Sequence, residues 1–144
     1  KIKFMKPIRL ILGLLLFVGL LSFTTTTTTT KKIETEKEGV ASYYGDSWNG
    51  KTTANMEIFD SSKYTCASPD IPFDTMIKVT NKENNKTVIV RVNDRGPYRM
   101  DSTGRAIFPL QKHDTRILDL SKAAFTAISP LRKGLIKVSY DIVI

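Results

Sequence analysis

Acidic side chains in three stretches of the sequence are the residues that could carry out chemistry. They are Glu57 and Asp60 in TTANMEIFD, Asp94 in RVNDRGPY, and Asp119 in RILDLS. Two carboxyl groups placed beside one glycosidic linkage can serve as general acid and general base on it. Spacing along the chain does not show that these side chains meet, so by itself it leaves the chemistry open.

Asp94 is the most informative of these acids. It follows a run in which alternate valines, from 88 to 92, share one face, and the same alternation places Asp94 on that face. A carboxyl group at the edge of an apolar face is poorly solvated, which favours its protonated form unless Arg91 and Arg95 lie close. The alternative is a simple turn after a strand, because Asn, Asp, Gly and Pro favour turns.

The elements that must position these acids are mostly short strands. Four runs, 39–45, 75–81, 86–93 and 135–144, are extended, β-rich or alternating in polarity. In the last run, alternate residues are predicted to share one face: Ile136, Val138, Tyr140, Ile142 and Ile144. Several short strands with a single helix predict a small β-barrel rather than alternating strands and helices.

One short helix is predicted at 121–128, in the sequence SKAAFTAI. Ser121 can cap its first turn, and the Ser-Pro pair at 129–130 ends it. One face of the helix is predicted to be lined by Ala123, Ala124, Ala127 and Ile128.

The N-terminal segment has the composition of an export signal. Four basic residues precede the apolar run LILGLLLFVGLL, which is short for a membrane span. No clear small-x-small cleavage site follows, so both a cleaved signal and an uncleaved anchor stay open. We assign 1–30 to this signal or anchor with its threonine run, 31–38 to a charged linker, and 39–144 to the folded domain.

Charge and cysteine content exclude several classes of function. The net charge is +8, but four basic residues lie in the first thirty positions, which leaves 18 basic against 14 acidic side chains. No nucleic-acid-binding pattern accompanies this mild excess, so we expect no nucleic-acid partner. The single cysteine, Cys66, excludes an intrachain disulfide and is expected in the core. With one histidine, His113, in a loop, neither a usual zinc site nor a papain-like pair is expected.

In order along the chain, five blocks resemble the rare lipoprotein A family of bacterial envelope proteins. They are GVASYYGDSWNGKTTANMEIFD, YTCAS, IPFDTMIKVTN, TVIVRVNDRGPY and ILDLSKAAF. The resemblance covers Gly39 to the C-terminus. It implies a mainly β fold: a six-stranded double-psi β-barrel with one or two short helices, following the N-terminal signal or anchor segment.

The resemblance also implies an activity and a location. Several family members look like lytic transglycosylases, which cleave peptidoglycan between MurNAc and GlcNAc and leave a 1,6-anhydro end. One carboxyl group can act first as acid and then as base, so no metal or cofactor is expected. The expected partners are peptidoglycan glycan strands and other envelope or division proteins, for a monomer exported to the periplasm or cell envelope.

Carried over by motif, the resemblance makes Asp94 the leading acid and Glu57 its carboxylate companion. Further side chains are expected to bind substrate or support the acid: Ser68, Tyr44, Asn93, Arg95 and Asp119.

The sequence departs from the family pattern at a few positions. Ser68 stands where the family usually has histidine, and a hydroxyl can hydrogen-bond a carboxyl group but cannot titrate near neutral pH. Met56 stands where glycine is common. The long stretch 100–116 separates two motifs that many members join directly; it is either functional or a surface loop, and His113 within it could replace the missing imidazole. A non-catalytic, expansin-like glycan-binding or structural barrel is therefore the alternative to an enzyme.

Overall fold

The computed structural model describes residues 36–143, and the segment predicted at 1–30 and the first five residues of the linker predicted at 31–38 lie outside that range. Within it, no helix is both long and apolar enough to span a membrane. The regular elements are six strands, one α-helix and short 3₁₀ turns at Asp46–Trp48 and Leu131–Lys133. In chain order they are β1 (Lys37–Tyr43), β2 (Thr65–Ala67), β3 (Met76–Asn81), β4 (Thr87–Asp94), β5 (Arg116–Leu120), α1 (Lys122–Ile128) and β6 (Ile136–Ile142).

The six strands close into a barrel in the order β1-β5-β2-β4-β3-β6, so that β6 pairs with β1. Two pairs are parallel, β1 with β5 and β2 with β4, and the other four are antiparallel. This confirms the predicted mainly β, six-stranded barrel with short helices. Barrel closure leaves no free strand edge, because each strand has a neighbour on both sides.

Alternation along the strands builds the core. On β3 and β4 the side chains of Ile77, Val79, Val88, Val90 and Val92 point inward, while their neighbours in sequence are largely solvent-facing. Cys66 is fully buried, as predicted. On the face predicted for β6, the side chains of Ile136, Val138 and Tyr140 are buried, whereas Ile142 is 43% exposed at the end of the strand. Ile144, predicted on the same face, lies outside the described residues.

The helix lies where it was predicted, but its buried face differs. Ser121 caps it by accepting a hydrogen bond from the backbone N–H of Ala124 at 3.2 Å. The buried helical residues are Ala124, Phe125 and Ile128, whereas Ala127 is exposed. Phe125 replaces Ala127 on the inner face because its ring fills space against Tyr43, with ring centroids 4.8 Å apart.

The stretch 100–116 is an excursion folded as a loose hairpin before β5. Isolated bridges pair Tyr98 with Lys112 and Met100 with Ala106. The N–H of Arg99 donates to the carbonyl oxygen of Gln111 at 2.8 Å. The excursion therefore carries its own backbone hydrogen bonds, which a flexible connection would lack.

The burial pattern of the helix predicts which residue stabilises the fold. Phe125→Ala should lower the free energy of unfolding by about 3 to 5 kcal/mol, because it leaves a cavity in the barrel core. Ala127→Ser, on the exposed face, should change it by less than about 1 kcal/mol. Urea unfolding followed by circular dichroism measures both. Equal losses in the two variants would contradict the observed helix orientation.

Candidate active site

The carboxylate of Asp94, the last residue of β4, is held by three hydrogen bonds from different parts of the chain. The Tyr44 hydroxyl donates to Oδ2 at 2.6 Å. The backbone N–H groups of Ala54 and Arg95 both donate to Oδ1, each at 2.8 Å. A carboxylate offers about four lone-pair positions, so these donors leave one position, on Oδ2, for a proton or a ligand.

A β-bulge sets the direction of this side chain. Cys66 of β2 pairs with Val92 of β4, but Ala67 already pairs with Asp94, so Asn93 is the extra residue. Bulges bend a strand and redirect its side chains, and they occur often beside active sites. The strict alternation predicted from the valines ends at this point, because Asn93 is buried as well as Val92.

Tyr44 presents its hydroxyl to Asp94 from the end of β1. Its backbone N–H donates to the carbonyl oxygen of Leu120 at 3.0 Å, and its ring packs on Phe59 with centroids 4.6 Å apart. Burial, followed by the negative charges of Asp94 and Asp119, raises the pKa of Tyr44 far above its ordinary value. The phenol therefore stays protonated and remains a hydrogen-bond donor.

Asp119 is a second carboxyl group beside Asp94. It lies on β5, where the Ser42 hydroxyl donates to its Oδ1 and the Arg116 guanidinium lies 3.6 Å from the same atom. Burial raises the pKa of Asp119, the Ser42 hydrogen bond and the positive charges of Arg116 and His113 oppose this, and the charge of Asp94 adds to it. The sequence blocks that contain NDRGP and DLS thus meet at one site.

Glu57 occupies a different environment. Both of its carboxylate oxygens accept hydrogen bonds from Arg91 at 2.8 Å, and Asn93 donates to Oε2 at 3.1 Å. These bonds, with that of Arg91 the strongest, lower the pKa of Glu57 to about 2. Glu57 is therefore ionised near neutral pH and shares no direct hydrogen bond with Asp94 within residues 36–143.

Ser68 and Arg95 stabilise the turn that follows β2. The buried Ser68 hydroxyl accepts from the N–H groups of Asp70 and Ile71 at 3.4 and 3.3 Å. The Arg95 guanidinium donates to the carbonyl oxygen of Ile71 at 3.0 Å and lies over the Phe73 ring, 3.6 Å from its centroid. Both side chains therefore point away from the Asp94 carboxylate, although backbone N–H groups of both residues contact Asp94.

His113 lies behind the site rather than at its carboxylate. Its Nδ1 accepts from the backbone N–H groups of Thr115 and Arg116 at 3.3 and 3.2 Å. The backbone N–H of His113 donates to the carbonyl oxygen of Pro97. The excursion at 100–116 brings the imidazole near Asp119, and no hydrogen bond links it to Asp94 within residues 36–143. In the same described range, no group of three or more His, Cys, Asp or Glu side chains is placed to hold a metal ion.

Comparison with known proteins assigns the chain to a family. The model of a family described as lytic transglycolase matches residues 36–140. The chain belongs to this family of double-psi β-barrels. The resemblance to rare lipoprotein A is confirmed by a relative, the probable endolytic peptidoglycan transglycosylase RlpA of Treponema pallidum, which is 45% identical over 102 residues. The match covers 71% of this chain and 28% of that protein.

Two solved structures place the lytic transglycolase barrel among known folds. The Streptomyces papain inhibitor superposes with a TM-score of 0.56 at 24% identity, over 78% of this chain and 98% of that one. Apo expansin from Clavibacter michiganensis gives a TM-score of 0.51 at 26% identity, over 76% of this chain and 51% of that one. The chain spans between 26% and 40% of the length of the curated relatives it matches.

Several groups at the candidate site were not singled out from the sequence. The backbone N–H of Ala54 is a donor that any residue type could supply, so composition carries no signal for it. Ser42 and Arg116 act on Asp119 from β1 and β5, and only the pairing of those strands brings them together. Asn93, which was predicted to support the acid, holds Glu57 instead of contacting the Asp94 carboxylate directly.

The ion pair of Glu57 predicts a pH-dependent contribution to stability. Its folded pKa lies below its unfolded value of about 4.3, so the contribution is present above that value and is lost as pH falls toward about 2. Glu57→Gln should flatten the fall in the free energy of unfolding between pH 5 and pH 2, by at most about 1 kcal/mol because the pair is partly exposed, as urea unfolding at each pH measures. Arg91→Gln should have the same effect. If both variants lose free energy of unfolding between pH 5 and pH 2 as steeply as the wild type does, the ion pair does not contribute as predicted.

Proposed function

We propose that this barrel is the catalytic domain of an endolytic peptidoglycan transglycosylase, with Asp94 as its general acid and base. The observation that carries the proposal is the Asp94 carboxylate, fixed by three donors with one position of Oδ2 left open. Family membership supports the reaction class, and relatives named as endolytic peptidoglycan transglycosylases support the polymer.

The proposed reaction moves one proton in each direction. Protonated Asp94 donates from Oδ2 to the glycosidic oxygen between MurNAc and GlcNAc, and the bond from that oxygen to C1 of MurNAc breaks. The 6-hydroxyl of the same MurNAc then bonds to C1, and its proton returns to Asp94. The products are a 1,6-anhydro-MurNAc end and a GlcNAc with a free 4-hydroxyl, so no water is consumed and the acid is regenerated.

Tyr44 and Asp119 act in this proposal through Asp94. Tyr44 holds Oδ2 with a hydroxyl that stays protonated, which fixes the direction in which the remaining position of Oδ2 points. Asp119 is a partly buried neighbour, and the charge of Asp94 adds to the rise in the pKa of Asp119. Both are positioning residues, because the proton passes through Asp94 alone.

Glu57 is the ionised companion of the acid rather than a second proton donor. Its ion pair with Arg91 and its hydrogen bond from Asn93 hold the turn at 53–57 against β4. The same turn carries the N–H of Ala54 that donates to Asp94. Loss of Glu57 therefore acts on the reaction by loosening a donor of the acid.

The substrate also determines the place of action. Peptidoglycan lies outside the cytoplasmic membrane, so the proposal requires export, in keeping with the signal or anchor predicted at 1–30. Proton transfer by one carboxyl group needs no cofactor. The proposed working unit is a monomer bound to a glycan strand.

A non-catalytic, expansin-like barrel is the second candidate. The Ser68 hydroxyl accepts hydrogen bonds from a turn, and no imidazole is hydrogen-bonded to Asp94 within residues 36–143. The similarity to expansin supports the same fold for this candidate. Such a barrel would bind glycan at the surface around Asp94 without releasing soluble products.

Asp94→Asn should lower the release of 1,6-anhydro products from purified sacculi by at least about 100-fold, because it removes the group that transfers the proton. Mass spectrometry of the soluble digest measures this. Asp141→Asn, which removes an exposed ion pair with Lys78, is the control and should retain wild-type release. If the wild-type protein binds sacculi but yields no anhydro product from intact or peptide-free glycan, the non-catalytic candidate is correct.

Tyr44→Phe should keep the fold and lower the rate of anhydro-product release by roughly 10-fold to 100-fold, since it removes one hydrogen bond to Oδ2. Because Tyr44 acts on the acid and not on ground-state binding, kcat should fall with little change in KM. Initial rates on peptide-free glycan separate the two constants. A rise in KM at unchanged kcat would instead make Tyr44 a substrate-binding residue.

A further inference from the structure

The excursion before β5 contains an apolar segment that bulges out of its hairpin. Tyr98 pairs with Lys112, and a regular antiparallel ladder would then pair Met100 with the residue two positions before Lys112. Met100 pairs instead with Ala106. The segment 107–111, with the sequence IFPLQ, therefore lies between the two paired positions and is extruded from the ladder.

The side chains of this extruded segment lie largely in solvent. Phe108 is 78% exposed and Leu110 is 48% exposed, and Pro109 between them is exposed as well. Met100, on the facing strand of the hairpin, is 51% exposed. Apolar side chains gain free energy when they leave water, and neighbouring exposed ones mark surfaces that contact a partner or a membrane. The segment is therefore a candidate contact surface.

Basic side chains flank the extruded segment. Arg99, Arg105 and Lys112 are all exposed, against the two exposed acidic residues Asp101 and Asp114. The Oδ1 atom of Asp101 is used within its own turn, where it accepts from two backbone N–H groups at 2.8 and 3.0 Å. An apolar tip with a positive balance of charge around it complements the surface of an anionic bilayer.

The excursion also emerges beside the start of the barrel. Asp70 forms ion pairs with both Lys37, the first residue of β1, and Lys112 of the excursion. The chain reaches Lys37 from the segment predicted as a signal or anchor at 1–30. A protein attached through that segment would therefore have its point of attachment and the excursion on one side of the barrel.

We propose that the extruded segment 107–111 is a membrane-contact site for an anionic bilayer. Phe108 and Leu110 enter the boundary between headgroups and acyl chains, and Arg99 and Arg105 contact lipid phosphates. An apolar groove on a protein would accept the two apolar side chains but would leave the flanking basic side chains without a role. The site goes beyond the proposed function, because contact with lipid requires no cleavage of glycan.

The test is tryptophan fluorescence of the whole chain with a reporter at the tip. The chain has a single tryptophan, so Phe108→Trp in a Trp48→Phe background places the reporter at one position. Vesicles of phosphatidylcholine with about 30% phosphatidylglycerol, both with dibrominated acyl chains, should shift its emission to the blue and quench it at least about 2-fold. Ile89→Trp in the same background is the matched control, because Ile89 is 48% exposed on β4, and its emission should stay unchanged.

The N-terminal segment is the same in both reporter proteins, so a difference between them comes from the position of the reporter. Adding Arg99→Gln and Arg105→Gln to the tip reporter should remove at least about half of the quenching, as should vesicles of phosphatidylcholine alone. No quenching at the tip, or equal quenching at both positions, would overturn the proposal. A blue shift without vesicles that grows with protein concentration would instead show contact with a second copy of the chain, and would also overturn it. None of these outcomes depends on the release of anhydro products.

Discussion

The site depends on the way the barrel brings three hydrogen-bond donors to one carboxylate. Tyr44 comes from the end of β1, Ala54 from the turn at 53–57, and Arg95 from the residue after Asp94 itself. β1 and β4 are not neighbours in the barrel, since β5 and β2 lie between them. Parallel pairing of β1 with β5 and of β2 with β4 therefore fixes the distance between Tyr44 and Asp94, and the closed sheet keeps these donors from moving independently. Fixed donors of this kind require little reorganisation when charge changes on the acid.

The environments of the three carboxyl groups divide their roles. Asp119 is largely shielded, with 20% of its side chain exposed, and its raised pKa follows from poor solvation. Glu57 lies in an ion pair with Arg91, which holds it in the ionised form. Asp94 is half-buried, and one position of Oδ2 is free for a ligand. Of these three carboxyl groups, Asp94 is the one that three donors from separate residues hold in a fixed direction without an ion pair.

The sequence predicted the elements better than it predicted the contacts of the site. Alternation identified β3, β4 and most of β6, and a capping serine identified the helix, because burial on one face determines those patterns. The helix face was wrong at Ala127, since an apolar count does not weigh the volume that Phe125 fills. β2 and β5 were not delimited as strands, being short and fully or largely buried. The pairing of Glu57 with Arg91, and of Ser42 with Asp119, depends on strand register and a β-bulge, which no local pattern encodes.

The side-chain hydroxyl groups of Thr65 and Ser68, three residues apart, have opposite effects on the stability of the fold. The Ser68 hydroxyl, at a position where the resemblance sets a histidine, accepts two backbone N–H groups and is used in the fold. The Thr65 hydroxyl, three residues earlier, is buried and has no hydrogen-bond partner in residues 36–143, so it costs the fold stability. The two hydroxyl groups therefore act oppositely on stability, because the backbone N–H groups of a turn converge on Ser68 and none reaches Thr65 in that range.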